Sequence, residues 1–277
     1  DTFSSRGLGD VYKRQVMQIR LPRVLTAVAI GAALPVSGLL MQTMFRNPLA
    51  GPYILGLSSG ASLGVALLVL TAGGVGAGTA LAGMAQGWAV ILAAIIGAVA
   101  VMLLVLAVSF RVGDVMTLLI VGLMVASTTS AIVSVLQYWS ERQALQSFVF
   151  WTFGSLKGVD WTELKILFPI AVVGIGVAVI LSKWLNGLLL GESYAQSLGI
   201  NVKRLRVAII LVTALLAGSA TAFCGPIAFI GLAVPHIARL LLRTTNHLVL
   251  IPGAALIGIL VMPVSYTHLT LPTMRTV

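Results

Sequence analysis

Residues 20–64 read RLPRVLTAVAIGAALPVSGLLMQTMFRNPLAGPYILGLSSGASLG. Two arginines, Arg20 and Arg23, open an apolar run that crosses from Val24 to Phe45 without a charge and stops at Arg46-Asn47-Pro48. A helix needs ~20 apolar residues to span a bilayer core, and this run supplies them. The Gly/Ser-rich sequence after the stop exposes polar backbone. Lipid tolerates such a segment only where it is buried in protein or lines a watery cavity. The stretch therefore reads as a transmembrane helix followed by something unusual at one membrane face, and the chain as a polytopic membrane protein.

Composition agrees. The 277 residues are 59% hydrophobic and 9% charged, with a mean hydropathy of +1.08, whereas a soluble domain is about a quarter charged. The net charge of +10 comes from 17 basic residues spread along the chain without a dense cluster. That spread reads as an orientation signal rather than a nucleic-acid footprint. Cys224 is the single cysteine, so no disulfide within the chain is possible, and it reads as a small core hydrophobe.

Eight apolar segments are expected to be membrane spans: Val24–Phe45, Leu55–Ala72, Gly87–Phe110, Thr117–Trp139, Ile166–Leu181, Val207–Phe223, Ile227–Leu242 and Leu248–Pro263. With Arg20 and Arg23 outside, alternation puts Arg46, Arg111, Lys183, Lys203, Arg204, Arg206, Arg239 and Arg243 inside. Arg142, Lys157 and Lys165 join the first two outside. The inner side carries more positive charge, which fixes the orientation. Residues 1–15 and 265–277 are polar, lack helical apolar periodicity and abut hydrophobic sequence abruptly. Both are expected to be non-native read-through rather than disordered native termini, leaving 16–264 as one transmembrane domain. Eight glycines within spans (Gly31, Gly38, Gly60, Gly64, Gly97, Gly122, Gly174 and Gly176) are expected at close helix crossings, or lining a substrate path.

Several chemistries are missing. No Asp, Glu, Lys or Arg lies deep within an expected span, where an ion-coupled transporter needs a relay. There is no phosphate-cradling G-x-x-x-x-G-K-[ST] loop, no H-E-x-x-H and no Ser/His/Asp cluster. The chain is expected not to be an enzyme and to hold no metal or cofactor, so the energy for any transport comes from another subunit.

Four stretches, RLPRVLTAVAIGAAL, FRNPLAGPYILGLSSGASLG, LLLGESYAQSLGINVKRLR and GPIAFIGLAVPHIARLL, occur in that order. Together they resemble the FecCD-type permeases of ABC importers for ferric siderophores, haem and vitamin B12. The resemblance covers roughly residues 16–263. It implies an all-α integral-membrane fold of ten helices, of which about eight, the second to the ninth, are present here. It also implies a multi-pass protein of the bacterial inner membrane, paired with a second copy or a paralogue. Two cytoplasmic ABC ATPase subunits, which carry the ATP, and an extracytoplasmic substrate-binding protein complete the assembly.

The resemblance gives residues roles that compete with plainer ones. Arg20 and Arg23 become docking residues for carboxylates of the binding protein, where otherwise they are snorkelling interfacial arginines. A third docking arginine of the family, late in the penultimate helix, has no counterpart where this chain departs into PVSYTHL. Pro48 forces a turn after Asn47, and Asn47, Pro48 and Leu49 become a cytoplasmic gate rather than an ordinary loop. Val115 and Met116 fall on a second gate element, where family members often carry small hydroxyl residues. The loop with Gly191, Glu192, Ala195, Leu198 and Gly199 becomes the coupling element that sits in a cleft of the ATPase, rather than a simple connecting helix.

Other polar residues carry less. His236 is expected to be a hydrogen-bonded structural residue near the inner face rather than a ligand. His247 sits in the next loop, and His268 in the tail. Tyr138, Trp139, Trp151 and Trp161 in the longest outer stretch fit an interfacial aromatic belt. The path is expected to be lined by small apolar residues, which leaves ferric siderophore, haem and vitamin B12 as cargo. A secondary transporter is the rival of another class.

Overall fold

The computed structural model describes residues 13, 15–72, 86–112 and 114–270. Among them every regular element is helical. A π-helical turn, Val16–Arg20, leads into α1 (Leu21–Phe45), followed by α2 (Leu57–Ala72), α3 (Gln86–Arg111) and α4 (Val115–Trp139). Two helices that do not cross, α5 (Arg142–Thr152) and α7 (Glu192–Ser197), flank the long α6 (Trp161–Leu189). Next come α8 (Val202–Thr213), a π-helical turn (Ala214–Gly218) and α9 (Ser219–Cys224) as one rod, then α10 (Ile230–Leu242) and α11 (His247–Thr270). Among the described residues six rods are long and apolar enough to cross a membrane, and α2 and α10 are shorter apolar helices. These are the eight expected segments.

α1 stands at the centre. From Ala29 through Phe45 every side chain on it is buried, and α11, α6, α10 and α8 pack around it. Its lack of any polar face explains that position, because a helix apolar on all sides belongs in the middle of a bundle. Thr26 and Thr43 donate to the carbonyls of Pro22 and Leu39, and Ser37 to that of Leu34, so none is left unpaired. Pro35 cannot donate to Gly31 O, and that carbonyl is turned against Gly258 of α11.

The glycines make the crossings. A Cβ on Gly38 would lie 1.6 Å from the Gly231 carbonyl oxygen of α10, and one on Gly31 would lie 2.5 Å from that of Gly258. On α2, a Cβ on Gly64 would lie 2.0 Å from Ala93 O and one on Gly60 2.6 Å from Gly97 O, both on α3. In lipid, where water does not drive helices together, such backbone approach supplies the packing. Gly176 differs from the other seven: nothing lies within 4 Å of where its Cβ would be.

Three expectations shift. The fifth span begins at Trp161, not Ile166, because Asp160 caps it, accepting from the backbone N–H of Thr162 and Glu163, while Glu163 reaches back to Asp160 N–H. The outer aromatic stretch contains a helix, α5, pinned by buried Phe148 stacked on Trp151 with ring centroids 6.3 Å apart. Helix α11 continues to Thr270, past the end expected for the last span at Pro263.

The irregular segment 46–56 does not stay at the surface. Leu55 and Gly56 lie against Gly122 and Ala126 of α4, seven to eleven residues beyond Val115. At 1.5 Å per residue this is ~10–17 Å into the membrane. Non-helical backbone at that depth is covered by α4, as lipid requires.

Candidate functional site

Hydrogen bonds between chain-distant residues sort the helix ends onto two faces. On one, Trp161 Nε1 donates to Met17 O at 3.0 Å, joining the start of α6 to the turn before α1. Arg20 and Arg23 belong to this face, three residues apart and so on one side of the helix. Arg20 is exposed and Arg23 half-buried, and neither has a hydrogen bond or ion pair among the described residues. The opposite face holds the ends of α1, α3, α6 and α10, the starts of α4, α8 and α11, and all of α7. By the distribution of positive charge this second face is the cytoplasmic one.

The α6–α8 connection is built around two glycines with positive φ, Gly191 at 120° and Gly199 at 79°. A side chain there would strain the backbone, so glycine sets the bends that make α7 a separate helix. Ala195 is fully buried; its N–H donates to Gly191 O at 2.8 Å and its carbonyl accepts from Ile200 N–H at 3.0 Å. Around that anchor, Tyr194 (52%) and Leu198 (58%) point outward. Two apolar side chains four residues apart on a short surface helix form a small docking knob. Tyr194 was not among the expected site residues, though an exposed aromatic at this position is the feature a partner cleft would grip.

Two arginines tie this loop to the two expected gate segments. Arg46 ends α1 in the left-handed conformation, its N–H bonding the carbonyls of Gln42 and Thr43. Its guanidinium donates to Leu188 O at 3.4 Å and would lie 3.1 Å from a Cβ on Gly191. The next residue, Asn47, accepts from Leu49 N–H at 2.9 Å through Oδ1 and holds the turn at Pro48; Pro48 and Leu49 are exposed.

Arg206 of α8 is 4% exposed. Its Nη2 donates to Glu192 Oε1 at 3.1 Å and its Nη1 to Val112 O at 3.2 Å, at the end of α3. Two residues on, Asp114 caps α4 by accepting from Thr117 N–H at 3.0 Å. Bonds from the Thr117 and Met116 N–H groups hold its carboxyl below the usual carboxylate range. Val115 is half-buried and Met116 exposed at the foot of α4. The structure thus links Glu192, through Arg206, to Val112 just before the second expected gate segment, and brings Gly191 against Arg46 at the start of the first, while Arg20 and Arg23 lie at the far face.

Arg206 reads in the sequence as one more orientation charge. Its partners lie 14 and 94 residues away, and no local pattern could have announced them. His247 was likewise passed over as a loop residue. It is 1% exposed, with ring Nδ1 2.7 Å from Asn186 Oδ1 and Nε2 2.7 Å from Thr43 Oγ1. Asn186 Oδ1 also accepts the His247 backbone N–H at 2.9 Å, so the neutral ring carries its proton on Nδ1, and the one Thr43 hydroxyl proton is shared between Leu39 O and Nε2. Beside it, Arg239 donates to Gln42 Oε1 and Gln42 to Leu232 O at 3.1 Å. Together these bonds bolt the inner ends of α1, α6, α10 and α11 into a block. His236 corrects an expectation: it is exposed and makes no side-chain hydrogen bond among the described residues. Val234, Pro235 and Ala238 form the buried side of α10, which turns His236 outward.

Known proteins share this architecture. The family model described as the FecCD transport family matches residues 2–272. The hemin transport system permease protein HmuU of Yersinia pestis is 38% identical over 247 residues, covering 87% of this chain and 71% of the relative. The vitamin B12 import system permease protein BtuC of Salmonella typhi is 37% identical over 258 residues, covering 93% and 74%. A solved structure described as an inward-facing conformation of a metal-chelate type ABC transporter superposes with a TM-score of 0.83 at 32% identity, covering 93% of this chain and 80% of that one. Its helical architecture, the ordered inner-face motifs and these matches agree: the chain belongs to the FecCD transport family and is a multi-pass permease of the inner membrane.

Proposed function

We propose that this chain is the membrane-spanning subunit of an ATP-driven importer that carries an iron complex, a ferric siderophore, into the cytoplasm. It works with a second copy or a paralogue, and the cargo path runs between the two. The observation that carries the reading is the α7 loop. An exposed Tyr194–Leu198 knob stands on a helix whose Glu192 and Gly191 are tied, through Arg206 and Arg46, to the segments at 112–117 and 46–49. A cytoplasmic ABC ATPase that grips the knob and closes on ATP displaces both segments together, alternating the access of Asn47, Pro48, Leu49, Val115 and Met116 to the two sides. ATP stays on that partner, and this chain needs no cofactor. Arg20 and Arg23, whose side chains have no partner among the described residues, receive carboxylates of an extracytoplasmic substrate-binding protein at the other face. Haem and vitamin B12 are the second reading of the cargo, favoured by the names of the 38% and 37% identical relatives.

The test is reconstitution with the partner ATPase and binding protein in liposomes. Loaded binding protein is expected to stimulate ATP hydrolysis, and the Arg20→Glu/Arg23→Glu double change to abolish the stimulation while leaving ATPase association intact. Loss of one docking ion pair is worth about 1–3 kcal/mol, or roughly tenfold in affinity, and reversal of two charges more. Stimulation that survives the double change removes the docking role. A permease that never associates with an ATPase removes the coupling role of α7.

A further inference from the structure

An open cavity of 260 Å³ lies between α2, α4 and α5. From α2 it is lined by Ser58, Ser59 and Ser62, and from α4 by Ser130, Ser134 and Gln137, the last three recurring on one helical face. Ser130 stands fifteen residues beyond Val115, ~22 Å along α4, and Gln137 ~33 Å, two residues from its outer end, so the cavity runs from the outer half of the membrane toward the outer face, far from the coupling loop. None of its lining side chains ionises.

The hydrogen bonding of these residues is uneven. Ser134 donates to the carbonyl four residues back, as Ser127 and Thr128 do elsewhere on α4. A hydroxyl facing lipid satisfies itself in this way. Ser58, Ser59, Ser62, Ser130 and Gln137 make no side-chain hydrogen bond among the described residues. Five polar groups that converge on one space within a membrane helix bundle, all with unspent capacity, would each cost about 1–3 kcal/mol if lipid filled that space. Water or a polar ligand fills it instead. The volume is below the ~300–1,000 Å³ that takes up a whole small ligand, so it has room for one rim of something larger or for a few waters. The sequence suggests a uniformly apolar path; this wall sets serines, a threonine and an amide beside Val133 and Phe148, and is neutral.

We propose that the cavity is a hydrogen-bonding station for the uncharged rim of the cargo, its amide, hydroxyl or hydroxamate carbonyl groups, and that it disfavours cargo presenting a free carboxylate there. Hydroxyls and an amide offer both donors and acceptors to neutral groups. Once the cargo's rim displaces the water, a carboxylate there would find donors but no cation, and a desolvated charge without a counter-charge is expensive. The assignment of the ligand as transported cargo rests on the importer reading above; that the space is wet and binds neutral polar groups does not.

The experiment uses the permease assembled with its partner ATPase in lipid nanodiscs, carrying Ser62→Cys or Ser130→Cys. Native Cys224 is buried at 3% exposure and gives little background. A neutral, water-soluble thiol reagent is expected to modify both positions. Saturating vitamin B12 or a neutral ferric trihydroxamate slows that modification about fivefold or more, and haemin, with its carboxylates, slows it much less. In liposomes, Gln137→Leu lowers the ratio of neutral-chelate uptake to haemin uptake about tenfold, the equivalent of one buried hydrogen bond; a merely structural role would lower both uptakes alike. Modification by a lipophilic maleimide alone, equal protection by haemin, or an unchanged uptake ratio each overturns the proposal. Wild-type protein that lacks ATP-dependent uptake yet shows selective protection would instead leave the site standing and remove the importer reading.

Discussion

Replacing Arg206 by Leu is expected to cut substrate uptake per ATP hydrolysed by at least about tenfold, with the assembled complex still able to bind ATP. The guanidinium is almost wholly buried and reaches Glu192 on α7 and the Val112 carbonyl beside the foot of α4. Removing one partner of a buried ion pair costs about 3–5 kcal/mol. Glu192 is 32% exposed, so water takes over part of its solvation and the cost falls to about 2 kcal/mol. That is enough to let α7 move without carrying residues 112–117 with it, which is uncoupling rather than unfolding. Glu192→Gln keeps the Val112 contact and a neutral hydrogen bond, and is expected to lose only a fraction of the effect. Uptake and hydrolysis measured on the same liposomes distinguish the two: a parallel fall in both signals a folding defect, and a fall in their ratio signals a broken linkage.

The largest effect on folding is expected at Gly38. A methyl group there would sit 1.6 Å from the carbonyl oxygen of Gly231, and that neighbour is backbone, which cannot swing aside. Overpacking ordinarily costs about 1–3 kcal/mol. Gly38→Ala belongs at or above the top of that range, because relieving it means separating α1 from α10. Those helices carry the Gln42–Arg239 contact and the Gln42–Leu232 bond that bolt the inner face together. At ~2–4 °C per kcal/mol for a chain of this size, thermal unfolding in detergent is expected on the order of 10 °C lower. Gly176→Ala is the matched control, with nothing within 4 Å of the new methyl, and should unfold within a degree or two of the parent. Equal destabilisation by both would mean that helix propensity, not the crossing, decides.

The contrast between these two sites shows what could be read before any coordinates. Where spans lie was legible, because a run such as Val24–Phe45 without a charge has few other fates in a cell. Where they end was not. The start of α6 at Trp161 depends on a reciprocal cap between Asp160 and Glu163, and charged residues at that point look like the outside of a span. Helix α5 escaped notice because its eleven residues mix polar and apolar side chains in too short a run to span, and hang on one buried ring, Phe148. Glycine positions promised close packing without saying which pairs meet; Gly176 carries the same letter as Gly38 and touches nothing.

The site divides in the same way. The bends at Gly191 and Gly199, and the stop at Asn47-Pro48, are local chemistry and could be read locally. The longer links between these helix ends cross 94 to 204 residues, from Arg206 to Val112 and from Thr43 to His247. Polar residues at the ends of apolar runs look like ordinary interfacial punctuation until folding stacks those ends together. The neutral pocket on α2 and α4 was hidden for a related reason. Serines scattered through a membrane span look like self-satisfied hydroxyls, and only their convergence with Gln137 on one cavity tells otherwise.

The measurement that bears most directly on the whole account is uptake of a ferric chelate into liposomes containing this permease, its ATPase and its binding protein, with ion gradients collapsed by ionophores. Coupling through α7 predicts that uptake continues undiminished without a gradient and stops when ATP is withheld. The absence of an Asp, Glu, Lys or Arg relay deep within the expected spans leads to the same outcome. Uptake that persists without ATP and dies with the gradient would contradict the account, and would make the irregular segment 46–56 the ion site of a secondary transporter.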